Sequence, residues 1–238
     1  MRIIGIPYAF GSANVYNELF DTINPVFKTA SVDYSGHGRR MDEELMYTMD
    51  DVVKDVFSQI KNYINSGEKY CLLGYSMGGL VAYELYYKIL SAGLALPSYI
   101  FIMGTPEPNY QREYKDYETF SCEDIRNELK EHNGTSEELL EIDEFVEMLA
   151  PIVKADNIVL RDYRNAPERP ESVRCGVSVL RGTKEDELEN CKEGWENCIG
   201  HKCIYMEIEG EHFFLFEDNG KNVKKIAKII EETLRSKV

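Results

Sequence analysis

Residues 70–90 read YCLLGYSMGGLVAYELYYKIL. The first six are apolar or small, a run of the length that fits a buried strand. From Met77 onward the chain carries a long apolar pattern of helical length. The join is Gly74-Tyr75-Ser76-Met77-Gly78, a G-x-S-x-G set between a predicted strand and a predicted helix. That context separates the pattern from an ordinary glycine turn with a capping serine. So sharp a turn needs small neighbours and leaves the serine backbone strained. It lifts the Ser76 hydroxyl clear of the sheet and sets it at a helix N-terminus, where unpaired N–H groups favour developing negative charge. Ser76 is the candidate nucleophile.

Outward from this join the same alternation recurs. RIIGIP (2–7), FKTASVDY (27–34), YIFIMG (99–104), GVSVLRG (176–182) and CIYMEIEG (203–210) read as further short strands. SANVYNELFDTI (12–23), TMDDVVKDVFSQIKNYI (48–64) and NVKKIAKIIEETL (222–234) read as helices. In the second, Val52, Val53, Val56, Ile60 and Ile64 recur at helical spacing, and Thr48 with Asp51 forms a capping box. Strands alternating with helices predict an α/β fold: a mostly parallel sheet with helices on both faces. Residues from about 106 to 174 break the alternation with polar, helical sequence. An insertion that long is no plain loop. It reads as a helical lid, and the 238 residues as one domain.

The bulk numbers narrow the chemistry. With 43% hydrophobic residues the chain supports one sizeable core. A net charge of −15 argues against nucleic acid or an anionic membrane as partner, since phosphate binding needs a basic footprint. The apolar run at the N-terminus is too short for a signal peptide, and none reaches the ~20 residues that span a bilayer. A cytoplasmic protein, acting as a monomer, is the expectation. Cys191, Cys198, His201 and Cys203 invite a zinc reading but lack a pair of C-x-x-C arms, so no metal or other cofactor is expected.

A serine hydroxyl needs a base. Of the four histidines, His212 in EIEGEHFFLFED follows the last strand and precedes the last helix, where this chain order keeps its base. His37, in SGHGRR, is the rival; His132 and His201 read as surface and turn residues. The imidazole needs a carboxylate to orient it. GTKEDEL, after the preceding strand, supplies Asp186 as first choice and Glu185 as second; Glu107, at another strand end, is weaker. Acyl transfer also needs an oxyanion hole, expected from the backbone N–H groups of Met77 and of Ala9 in IPYAFGSAN.

Taken together, IPYAFGSANVYNEL, VDYSGHGRRMDEEL, LLGYSMGGLVAYEL, LRGTKEDEL and EGEHFFLFED resemble the type II thioesterases of the α/β-hydrolase fold, over about residues 4–234. These are stand-alone editing enzymes of nonribosomal peptide and polyketide assembly lines. The resemblance implies hydrolysis of acyl groups from the phosphopantetheine arm of carrier proteins, engaged in trans, by Ser76, His212 and Asp186. It also brings departures: Phe10 and Ser35 replace a usual Gly and Pro, Glu211 replaces a Gly before His212, and the acid motif carries an extra residue before Asp186. Phe145, Met148, Leu149, Ile152 and Val153 are placed either to line an acyl channel or to pack the insertion on the core. Carriers are commonly acidic like this chain, so long-range attraction does not drive docking; Arg39-Arg40 is a local basic patch or a solvated loop. A general carboxylesterase or a chain-releasing acyl-carrier thioesterase fits the same scaffold, and a non-catalytic binding module is the remote third reading.

Overall fold

The computed structural model describes residues 1–108, 110–111, 114–131, 136–163, 169, 171–185, 188 and 190–235. Six strands form one sheet: β1 (Arg2–Ile6), β2 (Lys28–Ser31), β3 (Tyr70–Tyr75), β4 (Tyr99–Met103), β5 (Gly176–Gly182) and β6 (Ile204–Ile208), in the order β2-β1-β3-β4-β5-β6. Every neighbouring pair is parallel. The central strands β3 and β4 are buried along their whole length, as their unbroken apolar runs require.

Helices cover both faces. Along β3 the side chains alternate between two cores. Leu72 joins the cluster under α2 (Met49–Asn65) and α3 (Met77–Ser91). Cys71 and Leu73 join the cluster under α1 (Asn17–Thr22) and α8 (Lys221–Arg235). Thr48 caps α2 as expected, with the Asp51 N–H donating to Thr48 Oγ1, but the Asp51 carboxylate accepts from the Thr48 hydroxyl, at 2.7 Å, and not from the backbone N–H of a full capping box. The apolar stripe of α8, from Val223 to Leu234, is buried as its spacing requires.

The insertion between β4 and β5 carries α4 (Cys122–Glu131), α5 (Glu137–Leu140) and α6 (Asp143–Asp162). They share a small core of Ile125, Leu129, Leu140, Val146 and Val153. One helix, α7 (Cys191–Ile199), was not expected from the sequence. Gly194 in its middle weakens the helical signal. The Glu107 carboxylate packs over this glycine, where a Cβ would sit 2.3 Å from its carbon. Trp195 on the same helix is fully buried and donates its indole N–H to the Thr105 carbonyl. Among the described residues no group of three or more metal-ligating side chains converges, and no helix is long and apolar enough to cross a membrane.

Because all strands run one way, their C-terminal ends share one edge. The loops after β1, β2, β3, β5 and β6, and the insertion after β4, all leave from it. That edge is where side chains for chemistry gather in such sheets.

Candidate active site

Ser76 stands between β3 and α3 with φ 50° and ψ −118°, left-handed backbone held by a non-glycine residue. Strain of this kind costs about 1–3 kcal/mol and persists only where neighbours enforce it. The Ser76 N–H donates to the Met103 carbonyl at 2.7 Å, and the Gly79 N–H donates back to the Ser76 carbonyl at 2.8 Å. The glycines around it are required by contact. A Cβ on Gly74 would lie 2.1 Å from the Gly78 carbonyl oxygen, and one on Gly78 would lie 2.1 Å from that of Ile6. One on Gly79 would meet the Thr105 side chain at 2.7 Å. The bare backbone of Gly78 thus lets the loop after β1 lie directly on the first turn of α3. Met77 opens that helix, so its N–H has no acceptor within the helix.

His212 lies in the loop after β6. Its Nδ1 is 2.8 Å from Glu185 Oε1, and the other Glu185 oxygen accepts the Gly182 N–H at 2.6 Å. The carboxylate is thus fixed at both oxygens, with its side chain only 8% exposed against 35% for the imidazole. Glu185, the second choice from sequence, is the carboxylate that meets the histidine. Asp186, the first choice, lies outside the described residues. Glu107 lies instead over Gly194 of α7.

Tyr75, the residue before the serine, was missed by sequence reasoning. Its hydroxyl donates to the His212 carbonyl at 2.6 Å and accepts from the Leu215 N–H. Burial pushes the phenol well up, so it remains a donor. Its ring packs among Tyr8, Phe213, Phe214 and Phe216. The strand that carries the serine thereby fixes the backbone of the histidine loop. The signal available in sequence was the aromatic run after His212, which needs an aromatic partner.

In the loop after β1, Ala9 is buried and Phe10 takes φ 67°. That left-handed backbone suits glycine, and it is the local reason why a phenylalanine here is a departure. A cavity of about 880 Å³ lies beneath the insertion. Ser76, His212, Glu185, Tyr8, Ala9 and Phe10 line it from the sheet edge, and Tyr110, Tyr117, Asn157, Leu160 and Arg161 from the insertion. The wall given by α6 is therefore Asn157, Leu160 and Arg161. Of the apolar residues expected to line a channel, Val153 is buried in the core of the insertion and Met148 is exposed. Asn157 is buried, and its Nδ2 has no hydrogen-bond partner among the described residues.

His37 and His201 are engaged elsewhere. His37 is buried against Asp156 of α6 and does not line the cavity. His201 faces the Lys202 carbonyl, and His132 lies outside the described residues. In the Arg39-Arg40 patch, Arg39 pairs with Asp33 while its side chain stays exposed, and Arg40 pairs with Glu43 and Asp55.

A strained serine at a strand-to-helix turn, with a carboxylate-held histidine on the same cavity, is serine hydrolase geometry. Residues 1–234 match the family model described as the thioesterase domain. The chain belongs to the thioesterase family. The enzyme is a thioester hydrolase with an α/β-hydrolase sheet. This thioesterase is 26% identical to the gramicidin S biosynthesis protein GrsT of Aneurinibacillus migulanus, over 100% of this chain and 92% of that protein. It is 25% identical to the human medium-chain S-acyl fatty acid synthase thioesterase, over 97% of this chain and 87% of that one. Among solved structures, the type II thioesterase BorB of the borrelidin cluster superposes with a TM-score of 0.84 at 26% identity, covering 98% of this chain and 92% of that one. ClbQ of the colibactin pathway shares the fold, with a TM-score of 0.89 at 22% identity over 99% of this chain and 97% of its own.

Proposed function

We propose that this thioesterase removes acyl groups from the phosphopantetheine arm of carrier proteins, clearing misacylated carriers of a peptide or polyketide assembly line. The observation that carries the proposal is the cavity that Ser76 shares with the His212–Glu185 pair, walled on one side by residues of the insertion, which in this reading acts as a lid. The relatives named for gramicidin S biosynthesis and for the borrelidin cluster support the carrier-bound substrate.

In this reading Ser76 Oγ attacks the thioester carbonyl. His212, oriented through Nδ1 by Glu185, takes the serine proton at Nε2. The N–H groups of Met77 and Ala9 receive the developing oxyanion. The proton passes to the departing thiol, and an acyl-enzyme forms. Water activated by His212 then attacks the acyl-enzyme, releasing the acid and restoring the Ser76 hydroxyl. Thiolates leave without strong acid assistance, so one histidine suffices for both half-reactions.

A second reading rests on the medium-chain fatty acid synthase relatives: release of a finished acyl chain rather than editing. The buried Asn157 amide in the cavity wall favours the first, because an unpaired donor there penalises a saturated alkyl chain. The test compares kcat/KM for acetyl- and aminoacyl-carriers, a medium-chain acyl-carrier and matched simple esters. Editing predicts that the short carrier thioesters lead. A large preference for the medium-chain thioester would favour chain release, and one for esters would remove the carrier from the account.

A further inference from the structure

The Asp156 carboxylate is where three separately built parts of the molecule meet. Asp156 sits in the interior of α6, on the insertion, and is 3% exposed. A buried carboxylate requires partners, and both come from the sheet edge. Its Oδ2 accepts the Phe10 N–H of the loop after β1 at 2.6 Å, and lies 3.0 Å from Nε2 of His37 in the loop after β2. The other ring nitrogen of His37 is 3.0 Å from the Ser35 carbonyl oxygen. Both nitrogens thus face acceptors, an arrangement satisfied in full only by the doubly protonated, cationic imidazole. Burial pushes the His37 pKa down, but the Asp156 hydrogen bond and charge, with the Ser35 carbonyl and Asp33, outweigh it and the net shift is upward.

The loop after β1 is fixed at other points by its neighbours in the sheet. Tyr34 donates its hydroxyl to the Pro7 carbonyl, and the Ala13 N–H donates to Asp33. The Phe10 N–H instead reaches across to the insertion, and the Phe10 side chain packs against its small core. This contact acts on the residue that carries left-handed backbone without being glycine, directly beside Ala9. A hydrogen bond at that N–H, to an acceptor oxygen held in place on α6, keeps a conformation a phenylalanine otherwise resists. It also takes the Phe10 N–H out of use as a donor to the cavity, which the neighbouring Ala9 lines.

We propose that Asp156 is a positioning residue for the reaction: from the lid helix it holds Phe10 in place, and through Phe10 it aims the Ala9 N–H at the oxyanion. The proposal rests on Ser76 being the nucleophile. It assigns the insertion a second role besides walling the cavity, since displacing α6 would unset the oxyanion loop.

The experiment measures the rate of covalent labelling of Ser76 by a small fluorophosphonate in the full chain, with the melting temperature of each variant beside it. The probe develops charge at the oxyanion and needs no carrier protein. Asp156→Asn keeps an oxygen acceptor in place but removes the charge. Asp156→Glu keeps the charge for His37 but displaces the oxygen from the Phe10 N–H. Positioning predicts that the Asn variant recovers most of the wild-type rate, while the Glu and Ala variants lose about 10- to 100-fold, short of removing an oxyanion donor outright. Should the Ala variant fail to fold, the Asn and Glu pair decides. A Glu variant as fast as wild type, or an Asn variant as slow as the Ala one, overturns the proposal and leaves a structural ion pair. No labelling of wild-type Ser76 would instead remove the nucleophile on which it rests.

Discussion

Glu185 and His212 meet at 2.8 Å, across the loops that follow the last two strands of the sheet. The contact joins an acid held by the Gly182 N–H to a histidine whose backbone carbonyl is held by Tyr75. Neither side chain is left to find its own orientation.

The Glu185 contact makes the acid testable by one comparison. Glu185→Gln should lower kcat by about 10²–10⁴-fold with little change in KM, the range expected when a general base loses its orienting charge. Asp186→Asn should lose far less. Steady-state kinetics on one carrier-bound substrate checks both, and a reversed order would move the acid to Asp186.

Tyr75→Phe removes the hydroxyl bonded to the His212 carbonyl. That hydroxyl also accepts the Leu215 N–H, so two hydrogen bonds are lost, at a cost of about 1–2 kcal/mol, or roughly 2–8 °C in melting temperature for a chain of this length. The kcat should fall several-fold, because the histidine loop loses its anchor. Thermal melting and kinetics on the same preparation check this.

Gly78→Ala places a methyl 2.1 Å from the Ile6 carbonyl oxygen. Backbone cannot give way as a flexible side chain does, so the loop after β1 must move off α3. The expected cost is about 1–3 kcal/mol, the range for overpacking. Activity should fall by more than that stability loss accounts for, measured at a temperature where the variant is fully folded.

The buried His37–Asp156 pair gives the fold a pH dependence of known sign. The folded His37 pKa lies above its ordinary 6.5. Its contribution to stability is therefore complete below about 6.5 and is lost as pH rises through the folded value. The gap in unfolding free energy between wild type and His37→Gln should be widest below pH 6.5 and narrow in alkaline solution. Denaturant unfolding at several pH values checks it, and a gap that widens with pH would mean His37 is neutral in the native state.

Much of this was legible in sequence because it is local. The strand-turn-helix around Ser76, the apolar runs of β3 and β4, the stripe of α8 and the Thr48 cap of α2 are each set by a few consecutive residues. What was hidden depends on meetings between distant segments. Adjacent acids at 185 and 186 are equivalent in a string, and the Gly182 N–H and His212 engage the first. Helix α7 was masked by Gly194, over which the carboxylate of Glu107 packs from 87 positions earlier in the chain. Asp156 reads as one more charge on an amphipathic helix until Phe10 and His37 are brought to it by the fold.

On the proposed mechanism, the passage of the acyl group from a carrier thioester to water runs through Ser76. It is tested most directly by intact-protein mass spectrometry of an acylated carrier incubated with wild type and with Ser76→Ala. Wild type should return the carrier to its free phosphopantetheine thiol within minutes, and the variant should leave it acylated. Release by Ser76→Ala at the wild-type rate would rule Ser76 out as the nucleophile.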